Sequence, residues 1–87
     1  MVKFWAMIRD QENELVKDVI YTSNLTLNMS NFQKMLQEVA YQLDISTPVV
    51  LLTHFKHFVK FNRIKFIPRD FIEAVDFKEL VIENVIE

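Results

Sequence analysis

The side chains with the clearest chemical potential lie between Asp44 and Asp70, a stretch in which the chain has no acidic residue. This stretch contains both histidines and four of the eight phenylalanines, and its basic residues are Lys56, Lys60, Arg63, Lys65 and Arg69. Its formal charge is +5 in a chain whose net charge is −2, so the remainder of the chain sums to −7. Such segregation predicts a local positive field on an otherwise acidic protein.

Cations interleaved with aromatic rings are typical of nucleic-acid-binding surfaces, because the cations pair with phosphates and exposed rings stack on bases. Nucleic-acid binding by segment 54–69, with His54 as a further binding residue, is therefore one hypothesis. However, the spacing of Phe55, Phe58 and Phe61 fits the buried stripe of a helix, and buried rings cannot stack on bases. A nucleic-acid-binding domain is also usually basic as a whole. We therefore favour a solvated cationic face.

The two histidines, His54 and His57, are three residues apart on one predicted helix and could share a metal ion with Asp70 or Glu73. No third ligand stands at a diagnostic spacing, so we assign no metal and no cofactor. A metal or small-molecule site near His54 is kept as the third hypothesis. We also expect a structural polar cluster of Arg63, Asp70 and Glu73, in which the guanidinium pairs with a carboxylate and locks the intervening turn.

The composition excludes several classes of active site. The chain has no cysteine and no glycine, which excludes thiolate nucleophiles, disulfides, Cys-based zinc sites and glycine-rich phosphate loops. The serines stand in cap or turn contexts without a nucleophile motif, so we expect no catalytic residue and no enzyme activity. A small domain without disulfides favours a reducing, cytoplasmic setting, and no stretch approaches a membrane span.

The elements that must position these residues follow from hydrophobic periodicity. Alternation with period two predicts four strands, over residues 2–9, 14–22, 63–67 and 78–86. Helical spacing predicts two helices, over residues 30–43 and 48–61, with Ser30 and Gln33 as a capping box for the first. An alternative prediction for the first turn of the second helix is that its residues are extended. Residues 71–77 are predicted to be either a strand or a bent connector.

The order β-β-α-α-β-β predicts a single α+β domain over residues 1–87, with an antiparallel sheet covered by a layer of two helices. If the Phe4 face of the first strand packs under the helices, Trp5 and Met7 remain uncovered. We expect the face formed by Leu15, Val19 and Tyr21 to lie with them. Another copy of the chain could cover these residues, as could a ligand or the second helix.

From Leu43 onward a set of residues matches a known family. The matching residues are Leu43-Asp44, Pro48-Val49, Leu52, His54, Phe58, Phe61, Arg63, Phe66, Asp70-Phe71-Ile72-Glu73 and Val75-Asp76-Phe77. With them the chain resembles a family of small uncharacterised proteins of Gram-positive bacteria, which implies a bacterial protein but supplies no activity. In that family a Trp often stands at Val50, a Lys at Thr53 and an acidic residue at His57. The resemblance therefore implies that paired histidines are not a family feature.

The sequence favours a small interaction or structural module that forms a homodimer through an apolar sheet or helix surface. A different protein is a further candidate partner, nucleic acid is possible but less favoured, and no membrane partner is expected. The alternatives that stay open are a nucleic-acid-binding accessory protein and a ligand site near His54.

Overall fold

The computed structural model of this protein describes residues 1–86 and has the α+β architecture expected from the sequence. The elements in chain order are β1 (Val2–Arg9), β2 (Leu15–Ser23), α1 (Met29–Leu43), α2 (Leu52–Phe61), β3 (Arg63–Phe66), a 3-10 helix (Pro68–Asp70) and β4 (Glu79–Asn84). The predicted order β-β-α-α-β-β is thus confirmed, with both helices packed on the sheet. Within the described residues, no helix combines the length and apolarity that crossing a membrane requires.

The four strands form one antiparallel sheet in the order β2-β1-β4-β3. In this register Phe4 of β1 lies opposite Tyr21 of β2, and Ala6 of β1 lies opposite Ile82 of β4. The two central strands are therefore the first and the last of the chain. The edges of the sheet are β2 and β3, and these two edges differ in length.

The core lies between the helices and one face of the sheet. Every third or fourth residue of α1 is buried, which is the pattern of an amphipathic helix on a sheet: Phe32, Met35, Leu36, Val39, Ala40 and Leu43. Phe58 is the buried residue of α2, and its ring centroid lies 5.1 Å from that of Phe4 and 5.0 Å from that of Phe32. Phe58 therefore joins both helices to the central strand.

The prediction that Val19 and Tyr21 share a face with Trp5 is wrong. Directly opposite residues of an antiparallel pair point to the same side of the sheet. Because Tyr21 pairs with Phe4, it points toward the helices and is buried, whereas Ile20 pairs with Trp5 on the other side.

The ends of both helices differ in detail from the sequence prediction. The N-cap of α1 is Asn28 rather than Ser30, since the Asn28 side chain accepts a hydrogen bond of 2.8 Å from the Asn31 backbone N–H. The second helix begins at Leu52, so the extended alternative for the residues after Pro48 is confirmed. Residues 71–77 form a bent connector without a strand.

Among residues 1–86, three non-glycine residues occupy the left-handed region of backbone conformation, because the chain has no glycine for these turns. Asn13, Asp44 and Asn62 have φ values of 65°, 57° and 56°. Asparagine and aspartate tolerate this region better than other residues with a Cβ atom, but glycine adopts it with less strain. Asp44 also places a carboxylate at the negative end of the α1 dipole.

We expect Asp44→Gly to stabilise the protein by about 0.5–1 kcal/mol, because it relieves the left-handed strain and removes the unfavourable charge. The measurement is thermal or urea unfolding at neutral pH. Asp44→Asn keeps the side chain and removes only the charge, so it should recover only part of the gain. An unchanged or lower melting temperature for Asp44→Gly would contradict this account.

Candidate functional site

Part of the predicted basic segment lies at a groove between α2 and β3. It has a volume of about 290 Å³, and its lining residues are His57, Phe61, Arg63, Ile64, Lys65 and Glu79. We call it the α2–β3 groove. Lys60 is not a lining residue, but its Nζ atom lies 5.2 Å from the centroid of the Phe61 ring. Of the five predicted basic residues, the fold thus places Lys60, Arg63 and Lys65 at one site.

The other two predicted basic residues stand away from the lining of the α2–β3 groove. Lys56 lies one helical turn before Lys60 and is exposed. Arg69 lies on the 3-10 helix and is also exposed. The groove lining therefore includes Arg63 and Lys65, with Lys60 beside the Phe61 ring, and leaves Lys56 and Arg69 outside it.

Phe61 is the feature of this groove that sequence reasoning missed. Its spacing predicted a buried position, yet 56% of the residue is exposed, whereas Phe58 is fully buried. Successive helical residues are 100° apart, so Phe61 lies about 60° from Phe58, at the margin of the buried face. Its ring packs against the His57 ring with centroids 4.6 Å apart.

His54 serves the fold rather than an open site. Its Nδ1 atom accepts a hydrogen bond of 2.9 Å from the Leu51 backbone N–H, which satisfies a free donor at the start of α2. The other ring nitrogen, Nε2, lies 3.7 Å from Oδ1 of Asp70. The ring also packs against Phe66 with centroids 4.9 Å apart. Both nitrogens of His54 therefore hold the entry of α2 against the turn after β3.

The expected pairing of Arg63 with Asp70 or Glu73 is not what the structure shows. Arg63 Nε lies 3.6 Å from Glu83 Oε1, directly across from it in the β3–β4 register. Asp70 instead contacts His54 and accepts a hydrogen bond from the Ile67 backbone N–H. Because Arg63 points away from the core on a strand, it meets the neighbouring strand before it can reach the turn.

Glu73, the third member of the predicted polar cluster, accepts a hydrogen bond of 3.3 Å from the Ser46 hydroxyl. It lines a second, more open hollow of about 710 Å³ between two connecting segments, together with Asp44, Ile45, Ser46, Ala74, Val75, Asp76 and Phe77. Sequence reasoning missed this hollow, because its two walls come from segments far apart along the chain. The acidic residues of its lining are Asp44, Glu73 and Asp76.

The structure separates the two histidines proposed to share a metal. His54 packs against Phe66 of β3, whereas His57 packs against Phe61 of its own helix. Among the described residues, the one group of three ligand-type side chains whose atoms lie within 4.8 Å is Asp10, Glu12 and Glu14 in the β1–β2 turn. In that group Glu12 and Glu14 are exposed and Asp10 is half-buried, and it includes neither histidine.

The sheet face turned away from the helices is a second candidate interaction surface. We call it the open face; it carries Trp5, Met7, Ile20 and Val81. Trp5 donates a hydrogen bond of 2.8 Å from Nε1 to Asp18 on β2. Met7 and Val81 are buried although the helices lie on the other side of the sheet. Ile20 extends this apolar surface to the edge of the sheet.

A side-chain hydrogen bond joins the edge strand β2 to helix α1. The Tyr21 hydroxyl donates a hydrogen bond to the Glu38 carboxylate of α1. Burial raises the pKa of Tyr21 above its usual value of 10.0, and the hydrogen bond to Glu38 raises it further. The folded protein therefore retains this proton at a pH where the unfolded chain has lost it.

The consequence is a specific alkaline destabilisation. The contribution of Tyr21 to stability is fully present below pH 10 and falls as the pH rises above it. Tyr21→Phe should lose about 1–2 kcal/mol at neutral pH, and its deficit against the natural protein should shrink above pH 10. Urea unfolding at a series of pH values checks this. Tyr41→Phe, at an exposed position, should match the natural protein throughout; a constant deficit for Tyr21→Phe would refute the linkage.

Comparison with known proteins found no matching family model, no matching curated protein and no matching solved structure.

Proposed function

We propose that this protein is a small, non-enzymatic interaction module that associates with a second copy of itself by pairing the free edges of β2. The observation that carries the proposal is the asymmetry between the two edges of the sheet. β2 spans Leu15–Ser23, and Tyr21 is its one buried residue. A long exposed edge strand presents unpaired backbone donors and acceptors, which favours pairing with another strand.

The opposite edge has the features that prevent such pairing. β3 spans only Arg63–Phe66, and its outward side chains are Arg63 and Lys65. Short length and cationic side chains are common means of blocking edge-to-edge contacts. β2 carries instead three large apolar residues that are about half exposed: Leu15, Val16 and Ile20.

The register of β1 and β2 indicates where two copies would pair. A register shift between Ile8 and Arg9 leaves Val16 as an extra residue, so regular pairing covers Lys17–Ser23. A bulge usually ends strand pairing at that point. Ile20 is the central residue of this regular span. A twofold axis at Ile20 would therefore pair all of residues 17–23 of one copy with the same residues of the other copy.

The identities of the paired side chains also favour a twofold axis at Ile20. In a continuous antiparallel sheet, a twofold axis perpendicular to the sheet places residues of the same face opposite each other. An axis at Ile20 sets Ile20 against Ile20 of the other copy, and Asp18 against Thr22. An axis at Lys17 or Asp18 would instead set like charges opposite each other, which is destabilising. The pairing would join the two open faces into one continuous sheet surface.

The experiment is a series of single cysteines in a chain that has none of its own. Across an antiparallel pair, opposed Cβ atoms lie about 4.5–5.5 Å apart, close to disulfide geometry. Ile20→Cys should therefore form an intermolecular disulfide readily on mild oxidation. Thr22→Cys should not, because two copies of residue 22 would stand four strand positions apart, or roughly 13 Å.

The oligomeric state is also measured directly, without cysteine substitution or oxidation. Sedimentation velocity of the natural protein should show a dimer whose population falls on dilution, as expected for mass action. A monomer at about 100 μM, where even a weak pair is populated, would overturn the proposal. So would cross-linking of Thr22→Cys in preference to Ile20→Cys.

A further inference from the structure

We propose that the α2–β3 groove binds single-stranded nucleic acid, with Phe61 stacking on a base and Lys60, Arg63 and Lys65 contacting phosphates. This inference is independent of self-association, because the groove lies at the β3 edge and the proposed pairing uses β2 at the opposite edge. The acidic net charge of the chain argues against a nucleic-acid-binding role, but the fold concentrates cations at this one place.

The first argument is the exposed ring. A phenylalanine that is 56% exposed keeps an apolar face in contact with water, whereas Phe58 on the same helix is fully buried. The Phe61 ring is held on one side by His57, so its orientation is defined before any ligand arrives. An aromatic face of fixed orientation is the element that single-strand-binding proteins use for stacking, and it works with any base.

The second argument is the identity of the groups around the ring. The Lys60 ammonium rests over Phe61 at 5.2 Å from its centroid, a cation–π contact that is weak in water. A base that stacks on the ring displaces this ammonium toward the backbone of the same strand, where a phosphate receives it. Arg63 and Lys65 stand two residues apart on β3, on the side of the sheet turned away from the helices, and both contribute to the groove lining at the β3 edge.

The acidic groups near the groove do not cancel this charge. Arg63 pairs with Glu83, but both side chains are substantially exposed, and exposed ion pairs are worth little. The Arg63 guanidinium can therefore exchange Glu83 for a phosphate at small cost. Glu79 also lines the groove, but it is only 8% exposed and lies opposite Arg9 in the register, so little of it faces the solvent.

The groove favours a single strand over a duplex. In a duplex the base faces are stacked on one another, so a single exposed ring cannot reach them. Sequence reading in a duplex requires a helix or ribbon that enters the major groove. Here the ring sits in a recess between a helix and a strand edge, with a volume of about 290 Å³.

The test is fluorescence anisotropy of the full chain with labelled oligothymidylate and oligouridylate of about 15 nucleotides. Binding should weaken with added salt. Three phosphate contacts predict a slope of about −2 in a plot of log affinity against log salt concentration. Binding of either oligonucleotide supports the proposal.

Two variants of the groove should fail in different ways. Phe61→Ala should weaken binding roughly 5- to 100-fold with the salt slope unchanged, because it removes stacking and no charge. Phe61→Tyr, which keeps the ring, should retain most of the affinity. Lys65→Gln should weaken binding and reduce the magnitude of the slope by about 0.7, because it removes one phosphate contact.

The matched control is Lys34→Gln, which removes the same charge from the exposed surface of α1, away from the groove lining. It should leave affinity and slope close to those of the natural protein. Equal losses in Lys34→Gln and Lys65→Gln would reveal non-specific attraction and overturn the proposal. No binding at about 100 μM protein in low salt would also overturn it, as would an acidic peptide that binds as tightly and ignores Phe61→Ala.

Discussion

Phe58→Ala is expected to leave the protein largely unfolded or to lower its melting temperature by roughly 15–35 °C. Phe58 is fully buried, and its ring touches both Phe4 of the central strand and Phe32 of α1. Truncating a core phenylalanine costs about 3–5 kcal/mol, because apolar surface is lost and a cavity remains. A domain of this size has a total stability of roughly 4–13 kcal/mol, so the loss is a large fraction of it.

The matched control is Phe61→Ala, one turn further along the same helix. It makes the same chemical change with the same effect on helix propensity, but Phe61 is more than half exposed. We expect a loss below about 1 kcal/mol. The measurement is urea unfolding of both variants by circular dichroism. Similar losses at the two positions would mean that the helical layer is not seated on the sheet as described.

Ile20→Lys is expected to weaken self-association at least tenfold while leaving the fold of the monomer intact. Ile20 is 52% exposed, so the lysine can reach water in a single copy. Within a pair centred at Ile20 it would place two ammonium groups directly opposite each other and remove the apolar contact between the two copies. Sedimentation velocity over a range of concentrations gives the change in the dissociation constant.

Leu52→Lys is the matched control for that change, since Leu52 has the same exposed fraction but lies on α2. It should leave the dissociation constant unchanged if the copies meet at β2. The reverse pattern, with Leu52→Lys disruptive and Ile20→Lys neutral, would assign the contact to the helical layer and contradict edge pairing. Nucleic-acid binding by Ile20→Lys should match that of the natural protein, because the two proposed surfaces are separate.

Local sequence patterns were sufficient to predict the elements and most of the core. Alternation placed Phe4, Ala6 and Ile8 on one side of β1, and helical spacing selected the buried stripe of α1. These predictions succeed because side-chain direction within one element depends on backbone geometry alone. The polar cap of α1 was placed two residues late, because Asn28 and Ser30 are both good cap residues and local pattern does not choose between them.

Predictions that required the relation between elements failed or stayed open. The face of β2 depends on its register with β1, and one shift of register moves every side chain to the other side. Arg63 was assigned to carboxylates close in sequence, but its neighbour is Glu83, which β4 brings beside β3. The sequence predicts the basic residues of the candidate site but not the exposure of Phe61, the ring on which a base would stack.

The sequence by itself determined the α+β order, the amphipathic faces and the separation of positive from negative charge. These properties depend on which residues are near one another along the chain. Only the tertiary structure decided that His54 closes the start of α2 and that Phe61 stands exposed between His57 and Lys60. It also decided that β2 is an edge strand of the sheet. Strand order and the seating of a helix follow from how distant apolar surfaces pack together, and local periodicity carries no information about that choice.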